Sequence, residues 1–449
     1  MPEKSVLILG SGMIARPIIQ YLLKKGYNVT VASNTPDRTK MMINGHPNGN
    51  NVFWSADDEP ALSQLVSEHD ITVSLLPFAF HVMVAQHCLR HGKNMVTTSY
   101  VKPEMQELDA EAKAKGIIIL NELGLDPGID HMSAMRIIDH VHDKGGKIRA
   151  FYSNCGALPA PEAADNPFKY KFSWSPKGVI MAGNNDAVYL KDGKEVEIPT
   201  KDLFKNPRIT EFPDAGTLEI YPNRDSISYI DVYGIPETKT IIRGTFRLQG
   251  WCSIMDNMKK LNLFSYDKKD FSGLTYAGFM AKLIESSTTD NIKKQIADFL
   301  EIEITDNVIN ALEWLGLFEE KPMNRMEDST FEISSDLMIE KMMIKPGDRD
   351  MVAMQHTFLA EYPDGQTEVI RSGMLDFGTP GEDTSVARTV ALPAAIGVEM
   401  ILEKQITITG VHRPIHKNIY QPILNRLESL DIRVLEEYGL PEEDCLFLK

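Results

Sequence analysis

Cysteine is scarce in this chain. Its four copies, Cys88, Cys155, Cys252 and Cys445, are widely spaced and form no CxxC. That spacing argues against a disulfide framework or a zinc site, and it reads as thiols in a reducing compartment. Positive charge is also short, with 47 lysines and arginines against 63 acidic residues and a net charge of −16. This balance argues against nucleic acid or an anionic membrane as the main partner. An anionic small molecule would need a local cluster of arginines. No apolar run reaches the roughly 18 residues a membrane span needs. The first strand pattern begins by Ser5, so no signal peptide is expected and the cytoplasm is the expected location. Tandem repeats and low-complexity linkers are missing too. What remains is an ordinary globular composition, 43% apolar and 24% charged, on a 449-residue chain. That length suits roughly three domain-sized units.

The strongest signal lies at the start. Ser5-Val-Leu-Ile-Leu runs into Gly10-Ser-Gly12-Met-Ile-Ala15, and a helical pattern follows through Ile18, Ile19, Leu22 and Leu23. A strand, a tight Gly-x-Gly-x-x-Ala turn and a helix form the pyrophosphate site of a dinucleotide. Gly10 permits the turn, Gly12 lets backbone N–H groups approach the phosphates, and Ala15 lets the helix pack closely. The helix N-terminus then faces the anion with its positive dipole end.

Strand and helix patterns alternate up to Leu120. Strands are expected at 5–9, 27–32, 51–54, 71–76, 94–98 and 117–120, with helices at 14–25, 59–69, 80–90 and 103–115. Apolar strands separated by helices predict a doubly wound parallel sheet covered on both faces. Beyond residue 126 the texture changes: 147–250 suggests a mixed sheet, and 253–340 is mainly helical. Alternation returns over 350–377 with a hairpin signal at Tyr362-Pro-Asp-Gly365. A long apolar helix over 384–404 contains Pro393. The expected fold class is α/β: a Rossmann-type parallel sheet domain with an inserted mixed α/β domain and a small helical domain. The expected ranges are 1–126 with about 385–449, 127–252 with about 345–384, and 253–344.

Cofactor choice is read where the second strand ends. Ser33-Asn34-Thr35 supplies no acid there to repel a 2′-phosphate, and Arg38 and Lys40 follow. This favours NADP; the alternative is a neutral turn with a solvated Arg38. Leu75, Leu76 and Pro77 close the fourth strand near the adenosine or its linker, and His81 beyond them reads as a polar surface or capping group. Ser99 and Tyr100 close the fifth strand at the same edge, as site hydroxyls or as turn chemistry before Pro103. The sixth strand enters Asn121-Glu-Leu-Gly-Leu-Asp126-Pro127-Gly-Ile-Asp130-His131, where Asp126 and Pro127 read as N-cap and first helical position. Asp130 and His131 are not read as a dyad, because adjacent helical side chains diverge. Three runs are dense in polar and aromatic groups: Tyr170–Ser175, Tyr221–Ser226 and Arg243–Arg247. Arginine forks suit carboxylates, so these are candidate clamps for an acidic substrate, or else salt bridges and solvated loops.

Taken together, GSGMIARP, SLLPFAFH, VTTSYV, NELGLDPGIDH, LPAPEAADNP, YKFSWSP, YPNRDS and RGTFRLQG resemble the saccharopine dehydrogenases of the glutamate-forming type, or saccharopine reductases, along essentially the full length. The resemblance implies a three-domain homodimer that acts on saccharopine, glutamate and aminoadipate semialdehyde. The semialdehyde condenses with the amino group of glutamate, and a nicotinamide cofactor reduces the imine to saccharopine; the reverse is an oxidative cleavage. It further implies that Ser99, Tyr100, Asp126, Arg224, Thr245 and Arg247 contact substrate. Asp126 is first candidate, and Tyr100 second, to hold the iminium charge or relay a proton. Gly10, Ser11, Gly12, Met13, Ile14, Ser33, Asn34, Thr35, Leu75, Leu125 and Trp174 would line the cofactor. NADP is the expected cofactor and NAD the second candidate, because NADP-using fungal members carry arginine where this chain has Asn34. No metal is implied. Two alternatives stand beside this reading: a related imine reductase making carboxylated polyamines, and a non-catalytic nicotinamide-binding regulator.

Overall fold

The computed structural model describes residues 4–444, so Cys445 lies outside the described residues. By their contacts the residues divide into two compact units, Met1–Ile148 with Met354–Lys449, and Arg149–Ala353.

The first unit opens with β1 (Ser5–Leu9), α1 (Ala15–Lys24), β2 (Asn28–Ser33), α2 (Pro36–Ile43), β3 (Gly49–Phe53), α3 (Glu59–Glu68) and β4 (Ile71–Ser74). It continues through α4 (His81–His91), β5 (Asn94–Thr97), α5 (Pro103–Gln106), α6 (Asp109–Lys115), β6 (Ile118–Leu120) and α7 (Ile129–Asp143). The chain enters the second unit within β7 (Lys147–Pro159). There it forms α8 (Pro176–Ala182), β8 (Ala187–Lys191), β9 (Lys194–Ile198), β10 (Arg208–Phe212), β11 (Gly216–Pro222), α9 (Tyr229–Tyr233) and β12 (Thr240–Leu248). A mainly helical stretch follows: α10 (Trp251–Lys260), β13 (Lys268–Asp270), α11 (Tyr276–Leu283), α12 (Ile292–Leu300), α13 (Asn307–Leu315), β14 (Glu327–Ser329) and α14 (Thr330–Met342). The chain returns within β15 (Asp350–Glu361) and ends with β16 (Thr367–Phe377), α15 (Ser385–Leu402), β17 (Gly410–His412), α16 (Lys417–Glu428) and β18 (Leu435–Leu440). Residues 127–148 and 354–384 group with the first unit, and 253–344 lies within the second.

The first unit's main sheet runs β3-β2-β1-β4-β5-β6-β17, with every pair parallel. Strand order reverses between β1 and β4, the switch point where such sheets bind ligands at their carboxyl ends. Val6, Leu7, Ile8 and Leu9 are all fully buried, which is why β1 reads as a continuous apolar run rather than an alternating one. Tyr362–Gly365 is a tight hairpin between β15 and β16: Tyr362 N donates to Gln366 O, and Gly365 N to Tyr362 O, each at 2.9 Å.

In the second unit, β10-β11-β12-β7 form a mixed sheet, antiparallel except between β12 and β7, with β8 pairing both β12 and β9. The whole is the α/β architecture expected, a Rossmann-type parallel sheet with a separate mixed sheet.

Four expectations change. The 103–115 helix is two helices, broken at Glu107 and Leu108. Strand β4 stops at Ser74, although Leu75 N still donates to Leu9 O at 2.9 Å; a Cβ on Gly10 would lie 3.1 Å from Leu75 O. Asp126 and Pro127 do not cap and open a helix; α7 begins at Ile129. The loop before it folds on itself, with Gly124 N donating to Pro127 O at 3.0 Å, and its Asp126–Pro127 peptide is cis. Gly128, at φ +149°, must be glycine, since a Cβ there would collide with the Gly124 backbone. Finally, α15 does reach spanning length, with 18 residues of mean hydropathy 1.5, yet 78% of it is buried, packed on α1, β4 and β5. It is a core helix of the first unit.

Candidate active site

In the first unit the expected cofactor residues gather at the carboxyl edge of the sheet, except Trp174, which belongs to the second unit. Gly10 adopts φ +100°, a conformation costly for any side chain. Beside it, a Cβ on Gly12 would meet nothing within 4 Å, so the turn leaves an open cradle. Met13 and Ile14 are half-buried within that turn. No side chain caps the N-terminus of α1, and its first turn holds no acid. Uncapped amides at a positive dipole end, beside an open cradle, fit a pyrophosphate.

A knot of hydroxyls sits where an NAD site would place a carboxylate. Ser11 Oγ bonds Ser33 Oγ at 2.9 Å and Thr35 Oγ1 at 2.7 Å, and Ser33 Oγ bonds Thr39 Oγ1 at 3.0 Å. Asn34 and Arg38 project exposed beside it. Leu75 is half-buried above Gly10, and Leu125 is buried in the glycine-rich loop. The residues present fit a nicotinamide dinucleotide.

Tyr100 and Asp126 are brought together, the Tyr100 hydroxyl donating to Asp126 Oδ1 at 3.1 Å. Ser99 stands one residue before Tyr100, and its hydroxyl lies 2.8 Å from His81 Nε2. His81 is no surface or capping group. It is 4% exposed, and its other ring nitrogen bonds Ser74 Oγ at 2.8 Å.

Beneath these hydroxyls lies a group that sequence reasoning passed over. Glu122, 2% exposed, accepts from Val101 N at 2.7 Å and Arg413 Nε at 2.9 Å, and it pairs with His131 Nε2 at 2.7 Å. Its own N–H donates to Ser99 O at 3.1 Å. Glu122 therefore pins the segment 99–101 to the exit of β6. Burial alone would push its carboxyl up, but the bonds from His131, Arg413 and Val101 outweigh it and hold the group below the usual carboxylate range. A depressed carboxyl contributes stability that is full above its unfolded value, near 4.5, and is lost as pH falls through the folded value. Glu122→Gln is expected to cost about 3 kcal/mol at neutral pH, since it takes the counter-charge from the half-buried Arg413 and disturbs the buried pair with His131. Thermal melts at pH 7 and pH 4 test this: the gap between wild type and variant should narrow in acid, and a constant gap would refute the linkage.

In the second unit, Thr245 and Arg247 alternate onto one face of β12, opposite Tyr221 and Glu219 of β11. Arg247 is 4% exposed. Its Nη1 donates to Phe246 O at 2.8 Å, and its Nε has no partner among the described residues. Aromatic rings box the guanidinium, with Tyr170, Trp251 and Tyr221 centred 5.0, 5.5 and 5.8 Å from Cζ. The carboxylate opposite it in register is occupied, because Glu219 accepts from Gly250 N and Cys252 N at the start of α10. The Tyr170 hydroxyl and the Trp174 side chain are buried against each other, and Ser173 Oγ and Trp251 Nε1 are buried without partners among the described residues. Burial raises the Tyr170 and Tyr221 hydroxyls above their usual range, so both stay protonated.

Arg224 is exposed in a left-handed conformation, φ +52°, with its backbone carbonyl accepting from Val188 N at 2.8 Å. Lys171, from another of the candidate clamps, is taken by Asp165 and Asp348 at 2.9 Å each and is a structural ion pair. Cys88, Cys155 and Cys252 are all buried.

Residues 6–120 match the family model described as the saccharopine dehydrogenase NADP binding domain, and 124–432 match the saccharopine dehydrogenase C-terminal domain. The chain is 38% identical to the NADP(+), L-glutamate-forming saccharopine dehydrogenase of Schizosaccharomyces pombe, over 96% of this chain and 98% of that protein. It is 36% identical to the mitochondrial alpha-aminoadipic semialdehyde synthase of Bos taurus, covering 95% of this chain but 47% of that longer protein. The solved structure of the apo, L-Glu-forming saccharopine dehydrogenase from Saccharomyces cerevisiae superposes with a TM-score of 0.89 at 34% identity, over 97% of this chain and 99% of that one. With two family models spanning most of its length, this chain belongs to the saccharopine dehydrogenase family.

Proposed function

We propose that this chain is an NADP-dependent saccharopine dehydrogenase of the L-glutamate-forming type, acting on the CH–NH bond of saccharopine in lysine metabolism. The observation that carries the reading is Arg247. Among the described residues it makes no ion pair, and a buried guanidinium without one is costly and is tolerated where a ligand supplies the anion. Saccharopine carries several carboxylates and a secondary amine. Two further buried polar atoms, Ser173 Oγ and Trp251 Nε1, lack partners among the described residues, and both can donate to carboxylate oxygens.

The remaining residues fit this chemistry. Gly10, Ser11, Gly12 and the α1 N-terminus would hold the cofactor's pyrophosphate, with Ser33, Asn34 and Thr35 at its ribose end. The bound nicotinamide supplies or accepts hydride. Arg224, exposed and fixed in its turn, presents a second cation to a substrate carboxylate. Asp126 is the anion placed to hold the charge of a protonated imine or to relay the amine proton, and Tyr100 orients it through their hydrogen bond.

Turnover is followed by the ultraviolet absorbance of reduced nicotinamide, with saccharopine and either cofactor. Absence of turnover with both sinks the proposal. Arg224→Ala is expected to raise KM for saccharopine about 10- to 100-fold, the order of one lost charge-assisted pair. Unchanged kinetics would instead favour a cationic diamine as the amino partner, which Arg224 and Arg247 oppose in the native protein.

A further inference from the structure

One buried titratable side chain stands directly behind a substrate-facing hydroxyl. His81 opens α4, between Ser74 at the end of β4 and Ser99 just beyond β5. Its Nδ1 lies 2.8 Å from Ser74 Oγ and its Nε2 2.8 Å from Ser99 Oγ, so the three side chains form one continuous hydrogen-bonded chain. Burial, reinforced by the charge of Lys102, pushes the imidazole down to about 4, so it is neutral at any ordinary assay pH. A neutral imidazole has one N–H and one lone pair, and its neighbours decide which nitrogen holds which.

Ser74 decides it here. Its side chain is fully buried, and the imidazole is its hydrogen-bond partner among the described residues. If the Ser74 proton turned elsewhere, a buried donor would go unmade, at greater cost than an idle oxygen lone pair. The proton therefore goes to Nδ1, and the imidazole proton resides on Nε2. Nε2–H donates to Ser99 Oγ. The reverse arrangement would strand the Ser74 proton and gain only a contact from Thr97 Oγ1 at 3.5 Å, the outer limit of a hydrogen bond. Since Ser99 Oγ already accepts from His81, its own proton is left for the ligand.

We propose that Ser74 and His81 together fix Ser99 as a hydrogen-bond donor to a substrate carboxylate, with His81 a positioning residue that acts through Ser99. This rests on the reading of Ser99 as substrate-facing. With the opposite tautomer, Ser99 would turn oxygen lone pairs towards the carboxylate and repel it.

Two measurements test the proposal. In protein labelled with ¹⁵N-histidine, the His81 signals, assigned by their loss in His81→Gln, should report a protonated Nε2 and a bare Nδ1. A protonated Nδ1 overturns the proposal. In steady-state kinetics, Ser99→Ala is expected to raise KM for saccharopine about 10- to 100-fold, and Ser74→Ala about 3- to 10-fold. The double variant should be no worse than Ser99→Ala, because Ser74 acts only through that hydroxyl. Additive effects, which a merely structural Ser74 would show, overturn the proposal, as does an unchanged KM in Ser99→Ala. His81→Gln, which keeps a side-chain N–H, should lose less than His81→Phe. If the wild-type protein does not turn over saccharopine, the functional reading fails together with the substrate half of this proposal. The nitrogen shifts judge the tautomer independently.

Discussion

Arg247→Met is expected to keep the fold and remove most of the activity. Methionine fills much of the arginine's volume among Tyr170, Tyr221 and Trp251 without its charge. Replacing an unpaired buried charge by a well-packed apolar group is commonly neutral or stabilising. The melting temperature should therefore hold or rise. Over the same substitution, kcat/KM for saccharopine should fall about 100- to 1000-fold, the order of losing a desolvated charge pair. The two readouts moving in opposite directions distinguish a ligand-binding arginine from a structural one. A variant that melts lower and keeps its activity would show that Arg247 braces the β12 face instead of receiving a carboxylate.

Asn34→Asp carries the second large effect. The end of β2 holds a hydroxyl cluster and an exposed amide in place of the carboxylate that an NAD site uses for the ribose 2′-hydroxyl. An aspartate there would confront the 2′-phosphate of NADPH, and kcat/KM for NADPH should fall about 100-fold, since like charges forced together cost several kcal/mol. NADH, with a hydroxyl to donate, should be spared or improved. Asn34→Arg should act in reverse and steepen the preference for NADPH about tenfold. Without a guanidinium at this position, wild-type discrimination is expected to be shallow. If neither substitution moves the ratio of the two cofactors, the ribose does not bind at the end of β2.

What the sequence made legible follows from the range of each signal. The first sheet was readable because its information is local: apolar strands, a glycine turn and helical spacing all sit within a few residues of one another. The Tyr362–Gly365 hairpin was readable for the same reason. The start of α7 was misplaced because Asp126-Pro127 is a strong local cap signal, and a loop folded around Gly124 and Gly128 overrides it. Glu122 went unremarked because Arg413, which neutralises it, lies 291 residues further along. His81 suffered likewise. Its burial is set by how β4, α4 and β5 pack, which a single histidine in a helix start does not announce. Arg247 was singled out through family resemblance, but its lack of an ion pair among the described residues was visible only once register put Glu219 opposite it and α10 claimed that carboxylate.

The helix α15 has a consequence for how the chain is made. It covers α1, β4 and β5 from a position beyond the whole of the second unit, and a side chain at Gly397 would push aside the end of the Leu123 side chain. As the chain leaves the ribosome, β1 to β6 emerge first and α15 arrives after more than two hundred further residues have been synthesised. During that interval the apolar surface that α15 will cover has only the nascent chain, water or a chaperone to meet it. Residues 149–353, contiguous in sequence, need not wait. The order of synthesis therefore places the greatest exposure to aggregation on the segment that carries the cofactor turn.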